Sequence, residues 1–298
     1  MDDGAISNKA KNKNRFLVGL EKHYHQFINN IKQLYGHDSV YEEYVKENSQ
    51  SKEVNKDAAI SVRNLFFKYN KKQNHFTIND CSFDVSKGSF HVFVGENGSG
   101  KTTIIKAICG ANKNYIGDIF INNKNFLIDK TARLPITYIQ TKPIFPNEFN
   151  VYEYLLMMGL LVRNDINNLK EEIDFNINKF KISEIKHSNP NKLSSGQQQK
   201  VLLIKSIIEK ASIYILDEPT ANLDPITRID FFRTLKELAQ EKNITVFISS
   251  HSLDEIKEYV NEATFIKAGK VLFTGKVNGK NLINKYEEMF FNKQTGAA

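Results

Sequence analysis

From Ala59 onward the chain alternates between short β-type runs and helical stretches. Ile60-Ser61-Val62-Arg63-Asn64-Leu65 and Cys81-Ser82-Phe83-Asp84-Val85 switch between apolar and polar positions, and the second run ends at the turn signal Lys87-Gly88. Phe90-His91-Val92-Phe93-Val94 reads as a buried strand that runs straight into a glycine-rich loop. Further strands are expected near 118–122, 136–139, 212–216, 244–249 and 263–267, with helices over 101–109, 151–162, 197–210, 226–241 and 252–260. This alternation predicts an α/β fold with a mostly parallel sheet and helices on its faces. Residues 1–57 follow a different rhythm. Leu17, Leu20, Tyr24, Phe27, Ile28, Ile31, Leu34 and Tyr35 have the spacing of an amphipathic helix, and the polar stretch after them reads as a second short helix or a linker.

Composition narrows the classes of function. The chain of 298 residues carries 41 Lys+Arg against 34 Asp+Glu, a net charge of +7. Lysine outnumbers arginine 35 to 6 and asparagine reaches 33, a bias that an AT-rich genome produces without any selection for binding. Readers of nucleic acid recruit arginine for bidentate contacts, so its scarcity argues against that function, and no nucleic-acid partner is expected. Residues 1–57 hold nine basic and nine acidic side chains, which places the whole positive excess in residues 58–298. The longest apolar run, Tyr154 to Val162, falls well short of the ~20 residues that span a bilayer. The N-terminus opens Met-Asp-Asp with no apolar core of a secretory signal. Cys81 and Cys109 are too few for a disulfide framework or a zinc site, so a reducing, cytoplasmic setting is expected.

Three segments carry chemistry. Gly95-Glu96-Asn97-Gly98-Ser99-Gly100-Lys101-Thr102 fits the phosphate-loop pattern GxxxxGK[ST], between a strand and a helix-compatible stretch, and Thr103 joins these eight as a candidate nucleotide-binding residue. Its glycines let successive N–H groups face phosphate oxygens at a helix N-terminus, Lys101 would reach the β- and γ-phosphates, and Thr102 would place its hydroxyl on Mg²⁺. Ile213-Tyr214-Ile215-Leu216-Asp217-Glu218 is an apolar strand ending in two carboxylates, a metal-ligand and general-base pair when set beside a phosphate loop. Leu193-Ser194-Ser195-Gly196-Gln197 opens an apolar helix with small hydroxyl residues, another phosphate-ready terminus.

Together these segments resemble the ATP-binding cassette (ABC) ATPases from about Ala59 to Val277. LSSGQ resembles the family signature, GENGSGKT its Walker A motif and IYILDEP its Walker B motif. Thr220-Ala221-Asn222-Leu223-Asp224 is similar to the D-loop, and Ile248-Ser249-Ser250-His251 to the strand end bearing the switch histidine. Gln140 matches the Q-loop, and Tyr69 stands where the family places an aromatic ring against adenine. Departures are small: the loop Asn112 to Gly117 lacks the usual proline, and Lys200 stands where arginine is common.

The resemblance implies a P-loop NTPase of the ABC type, with a mostly parallel central sheet, an antiparallel β subdomain and a helical insert. The expected layout is an N-terminal helical or polar extension over 1–57, the ATPase domain over 58–280 with its insert at about 141–190, and a C-terminal tail over 281–298. It further implies ATP and Mg²⁺ as cofactors. Thr102, Gln140 and Asp217 would be the metal ligands, and Glu218, His251, Gln140 and Lys101 the catalytic groups. Asp224 and the signature residues Leu193 to Gln197 would meet nucleotide across a head-to-tail pair, with a second cassette as one partner and a separate transmembrane permease as the other. The segment Phe145 to Met158 resembles the stretch that receives a permease's coupling helix. The form Ser250-His251 and the sequence after it lean toward exporters, at the cytoplasmic face of a membrane. The alternatives are a cassette that regulates a membrane protein without transport, or one acting in translation or DNA maintenance.

Overall fold

The computed structural model describes residues 55–68, 77–112, 115–129, 131–163 and 165–291, all within the unit Ser39–Ala298. The amphipathic pattern at 17–35 and Tyr69 lie outside the described residues.

Two sheets form the frame. Strands β1 (Ala58–Phe67), β2 (Ile78–Ser86), β4 (Tyr115–Ile121) and β5 (Lys124–Asn125) make an antiparallel sheet in the order β2-β1-β4-β5. The second sheet has the order β10-β9-β3-β8-β7-β6, built from β3 (Phe90–Val94), β6 (Ile136–Gln140), β7 (Ile213–Asp217), β8 (Thr245–Ser250), β9 (Glu262–Lys267) and β10 (Lys270–Lys276). All its pairings are parallel except β9 with β10. Strands β3, β7 and β8 are buried at every position, which is why they read as near-continuous apolar runs.

Helices α1 (Lys101–Ile108), α4 (Ser195–Ile208), α5 (Pro225–Lys242) and the single turn α6 (Leu253–Ile256) follow β-strands or loops of this sheet. Between β6 and β7 the chain inserts α2 (Val151–Leu160) and α3 (Ile166–Lys179), within the stretch expected for the helical insert. Asn150 opens α2 with a full capping box, its side chain accepting from the Glu153 N–H while Glu153 accepts from the Asn150 N–H. Aromatic rings join the two sheets: Phe83 of β2 lies 5.5 Å from Phe93 of β3 and 5.9 Å from Phe247 of β8.

Two expectations need correction. The helix expected over 252–260 stops at Ile256, because Asn261 must pair back onto Phe90 to start β9 beside β3. The stretch expected as a plain tail from 281 begins inside a helix, α7 (Gly279–Phe290), which buries Leu282 and Phe290 and sets Phe290 and Tyr286 against Phe265 of β9.

Candidate functional site

Parallel pairing brings the carboxyl ends of β3, β6, β7 and β8 to one edge, where ligands of open α/β sheets bind. The phosphate loop leaves β3 there. Gly100, the N-cap of α1, has φ +108°, and a Cβ on it would lie 2.3 Å from Ile78 Cδ1, so a side chain is excluded by both backbone and packing. Glu96, Asn97, Gly98 and Thr102 are exposed at the mouth of the loop, while Gly95, Ser99, Lys101 and Thr103 are buried. Lys101 donates through Nζ to Gly95 O at 2.7 Å and Glu96 O at 3.2 Å, which folds the loop around its ammonium.

Strand β7 delivers Asp217 and Glu218 to the same edge. Glu218 adopts a left-handed backbone, φ +45°, which turns its carboxylate off the strand direction. Its Oε1 lies 3.7 Å from Lys101 Nζ and its Oε2 lies 3.5 Å from His251 Nδ1. The carboxylate borders a cavity of about 40 Å³ shared with Ser249 and His251, room for a water-sized guest. Asp217 is buried; its Oδ1 accepts from Ser249 Oγ at 2.7 Å and its backbone carbonyl accepts from Thr141 Oγ at 2.6 Å. Gln140 ends β6 opposite Asp217 in the parallel register. Lys101, Asp217, Glu218, Gln140 and His251 are therefore gathered at one sheet edge from segments far apart in the chain. Sequence reading missed Ser249 and Thr141; a hydroxyl residue beside His251 and another beside Gln140 were the available signals.

The signature segment is held elsewhere. Ser194 caps α4 with a capping box to Gln197. Ser195 Oγ donates to Asn222 O at 2.7 Å, and a Cβ on Gly196 would meet Thr227 Cγ2 at 2.8 Å. Ser195 and Gly196 thus pack against the segment after Glu218, where Asp224 caps α5. The Asp224 carboxylate accepts from the N–H groups of Ile226 and Thr227 and from the Thr227 hydroxyl, and that hydroxyl holds its pKa below the usual carboxylate value. In this chain Asp224 spends its oxygens on its own helix.

The oxygen donors suit Mg²⁺. Ser249 occupies Oδ1 of Asp217 and leaves Oδ2 for a cation, and the Thr102 hydroxyl is exposed in the first turn of α1. No group of three or more His, Cys, Asp or Glu side chains that could hold a metal alone occurs among the described residues. A cation bound by one carboxylate, one hydroxyl and nucleotide phosphates is the Mg²⁺ pattern.

The profile of the ABC transporter family matches residues 78–221. The energy-coupling factor transporter ATP-binding protein EcfA1 of Streptococcus agalactiae is 31% identical over 223 residues, covering 71% of this chain and 77% of that protein. The chain belongs to the ATP-binding cassette transporter family. A putative ABC transporter ATP-binding protein of Mycoplasma pneumoniae is 36% identical to this cassette over 220 residues, 73% of the chain, which spans 66% of that relative's length. The zinc uptake system ATP-binding protein ZurA of Listeria monocytogenes is 29% identical over 229 residues, 74% of this chain and 86% of that protein. Among solved structures, CbiO1 of Clostridium perfringens, part of the ABC transporter complex CbiONQ, superposes with a TM-score of 0.67 at 25% identity over 78% of this chain and 92% of that one. The family's activity is ATP hydrolysis, and the α/β frame with its added antiparallel sheet is the family's fold.

Proposed function

We propose that this cassette is the ATP-hydrolysing subunit of a transporter whose membrane-spanning permease is a separate chain. The observation that carries the reading is the convergence of Lys101 and His251 on the two oxygens of Glu218, at 3.7 and 3.5 Å, at the mouth of the phosphate loop. Glu218 is the group placed to orient and deprotonate an attacking water. Lys101 neutralises the β- and γ-phosphates, and His251, with 57% of its side chain exposed, donates to a γ-phosphate oxygen. Thr102 and Asp217, with Gln140 at the adjoining strand end, would hold Mg²⁺, whose chemistry is charge neutralisation on the phosphates. Tyr69 stacks on the adenine in this reading.

Leu193 to Gln197 face nucleotide only across a partner, so two cassettes close head to tail around two ATP molecules. Among the described residues no helix is long and apolar enough to cross a membrane. In this reading a separate permease holds the cassette at the membrane's cytoplasmic face, a reading that the energy-coupling factor and zinc uptake relatives support. Direction has two readings. The Ser250-His251 form favours export, whereas the zinc uptake relative aligns over most of its own length and favours import. We take import, since whole-domain likeness outweighs two residues.

Glu218→Gln should abolish turnover while keeping ATP binding and trapping a dimer; normal turnover in that variant refutes the role of Glu218. Copurification of the cassette with a polytopic membrane protein tests the transporter reading, and its absence returns the alternatives in translation or DNA maintenance. Transport by the reconstituted complex then separates a transporter from a cassette that only regulates a membrane protein. Movement of substrate toward the cassette side supports import, and movement away from it restores export.

A further inference from the structure

Ser249 is the last but one residue of β8, fully buried, and directly opposite Asp217 in the parallel register with β7. Its hydroxyl is used twice. The proton goes to Asp217 Oδ1 at 2.7 Å, and a lone pair accepts the Glu218 N–H at 2.9 Å. One oxygen atom therefore fixes both acids of the site by different means. Binding Oδ1 restrains the rotation of the Asp217 carboxyl and leaves Oδ2 as the oxygen for a cation in this reading. Binding the Glu218 N–H pins the peptide that enters the left-handed conformation at φ +45°, the turn that swings the Glu218 carboxylate toward Lys101 and His251. A left-handed glutamate persists only where its surroundings hold it, and Ser249 Oγ is the side-chain atom bonded to its backbone.

We propose that Ser249 is a positioning residue for hydrolysis, setting the metal-facing oxygen of Asp217 and the water-facing carboxylate of Glu218 through a single hydroxyl. The inference rests on the reading that Asp217 holds Mg²⁺ and Glu218 holds the attacking water. Ser249→Ala removes both bonds without adding bulk. It leaves a buried carboxyl oxygen without its donor and frees the Glu218 peptide to relax from the left-handed region. Ser249→Thr keeps the hydroxyl and suits a strand.

The test compares Ser249→Ala, Ser249→Thr and Glu218→Gln for ATP turnover as a function of Mg²⁺, and for binding of a fluorescent ATP analogue in EDTA and in Mg²⁺. Ser249→Ala should lower kcat about ten- to a hundredfold and raise the Mg²⁺ concentration for half-maximal turnover several-fold. It should weaken the gain in analogue affinity on adding Mg²⁺ yet leave affinity in EDTA unchanged. Ser249→Thr should recover both the rate and the Mg²⁺ dependence. Wild-type kcat and Mg²⁺ dependence in Ser249→Ala overturn the proposal, as does a rate loss with no Mg²⁺ shift, which marks a merely structural role. If Ser249→Ala loses its fold, Ser249→Cys, which keeps the volume with a weak donor, carries the same expectations in reduced size. An inactive Glu218→Gln beside a normal Ser249→Ala defeats the positioning role alone, whereas an active Glu218→Gln defeats the reading beneath it and this proposal together.

Discussion

A single backbone angle decides whether the phosphate loop can exist. Gly100 sits at φ +108° with Ile78 Cδ1 where a Cβ would be, so Gly100→Ala adds a conformational penalty of about 1–3 kcal/mol to a steric one. The expected result is a lowered unfolding midpoint together with loss of ATP binding in a filter or fluorescence assay; retained binding would mean the loop tolerates another path. The loop's geometry was legible in the sequence, since a tight turn into a helix N-terminus needs glycines at fixed spacing, and the strand that ends in Asp217 and Glu218 read as an apolar run closed by two acids. What escaped was contact across strands. Ser249 meets Asp217 and Glu218 only because β7 and β8 pair in a register that no local pattern reports. Asp224 was legible only in part: it matches the D-loop, and the structure adds that its carboxylate caps α5.

At the level of elements, the buried parallel strands were readable because each is a compact apolar run, and β6, β7, β8 and β9 fall within about a residue or two of their expected bounds. Strand β10 and helix α7 were not, because their patterns are mixed and their order comes from covering β9 with aromatic rings. The same edge hides a polar chain inside the core. His91 of β3 meets Glu262 Oε2 through Nδ1 at 3.2 Å and Thr264 Oγ through Nε2 at 2.8 Å, both on β9, and Thr264 reaches Thr274 of β10 at 2.9 Å. Burial lowers the His91 pKa below its ordinary 6.5. Burial also raises that of Glu262, but hydrogen bonds from His91 and Ser86 outweigh it and hold the carboxyl at about 2. The signs agree. Below 6.5 the unfolded chain takes up a proton that folded His91 resists, and below 4.5 the unfolded Glu262 takes up one that the folded carboxylate resists until about 2, so each favours unfolding as pH falls. The urea midpoint should drop on acidification from about pH 7 to 5, and His91→Gln should flatten that slope whatever it does to the midpoint at pH 7. An unchanged slope would assign the loss to other groups.

At the scale of the whole molecule, the phosphate loop and the signature segment are, in the proposed reading, two half-sites that do not complete each other within one chain. Lys101, Glu218 and His251 meet at the phosphate loop, while Ser195 is bonded to Asn222 and Gly196 packs against Thr227, both beyond the end of β7. If two copies close head to tail, each ATP takes its phosphate loop from one and its signature from the other, and that geometry has a genetic consequence. Lys101→Ala ruins the loop of a chain and Gly196→Asp sets a carboxylate against the phosphates, so either variant alone should hydrolyse ATP at background rate. In a mixed pair, one site inherits both defects and the other inherits neither, because the intact loop of the Gly196→Asp chain faces the intact signature of the Lys101→Ala chain. An equal mixture forms mixed pairs half the time, each with one sound site of two, so activity should return to about a quarter of wild type if the sites act independently. A cassette that completed its site within one chain would give no recovery at any ratio. Neither would one that pairs only with a different cassette, and light scattering of Glu218→Gln with ATP and a candidate second cassette tells those two apart: a rise to the mass of the mixed pair means hetero-pairing, and two unchanged monomer masses mean a site completed within one chain.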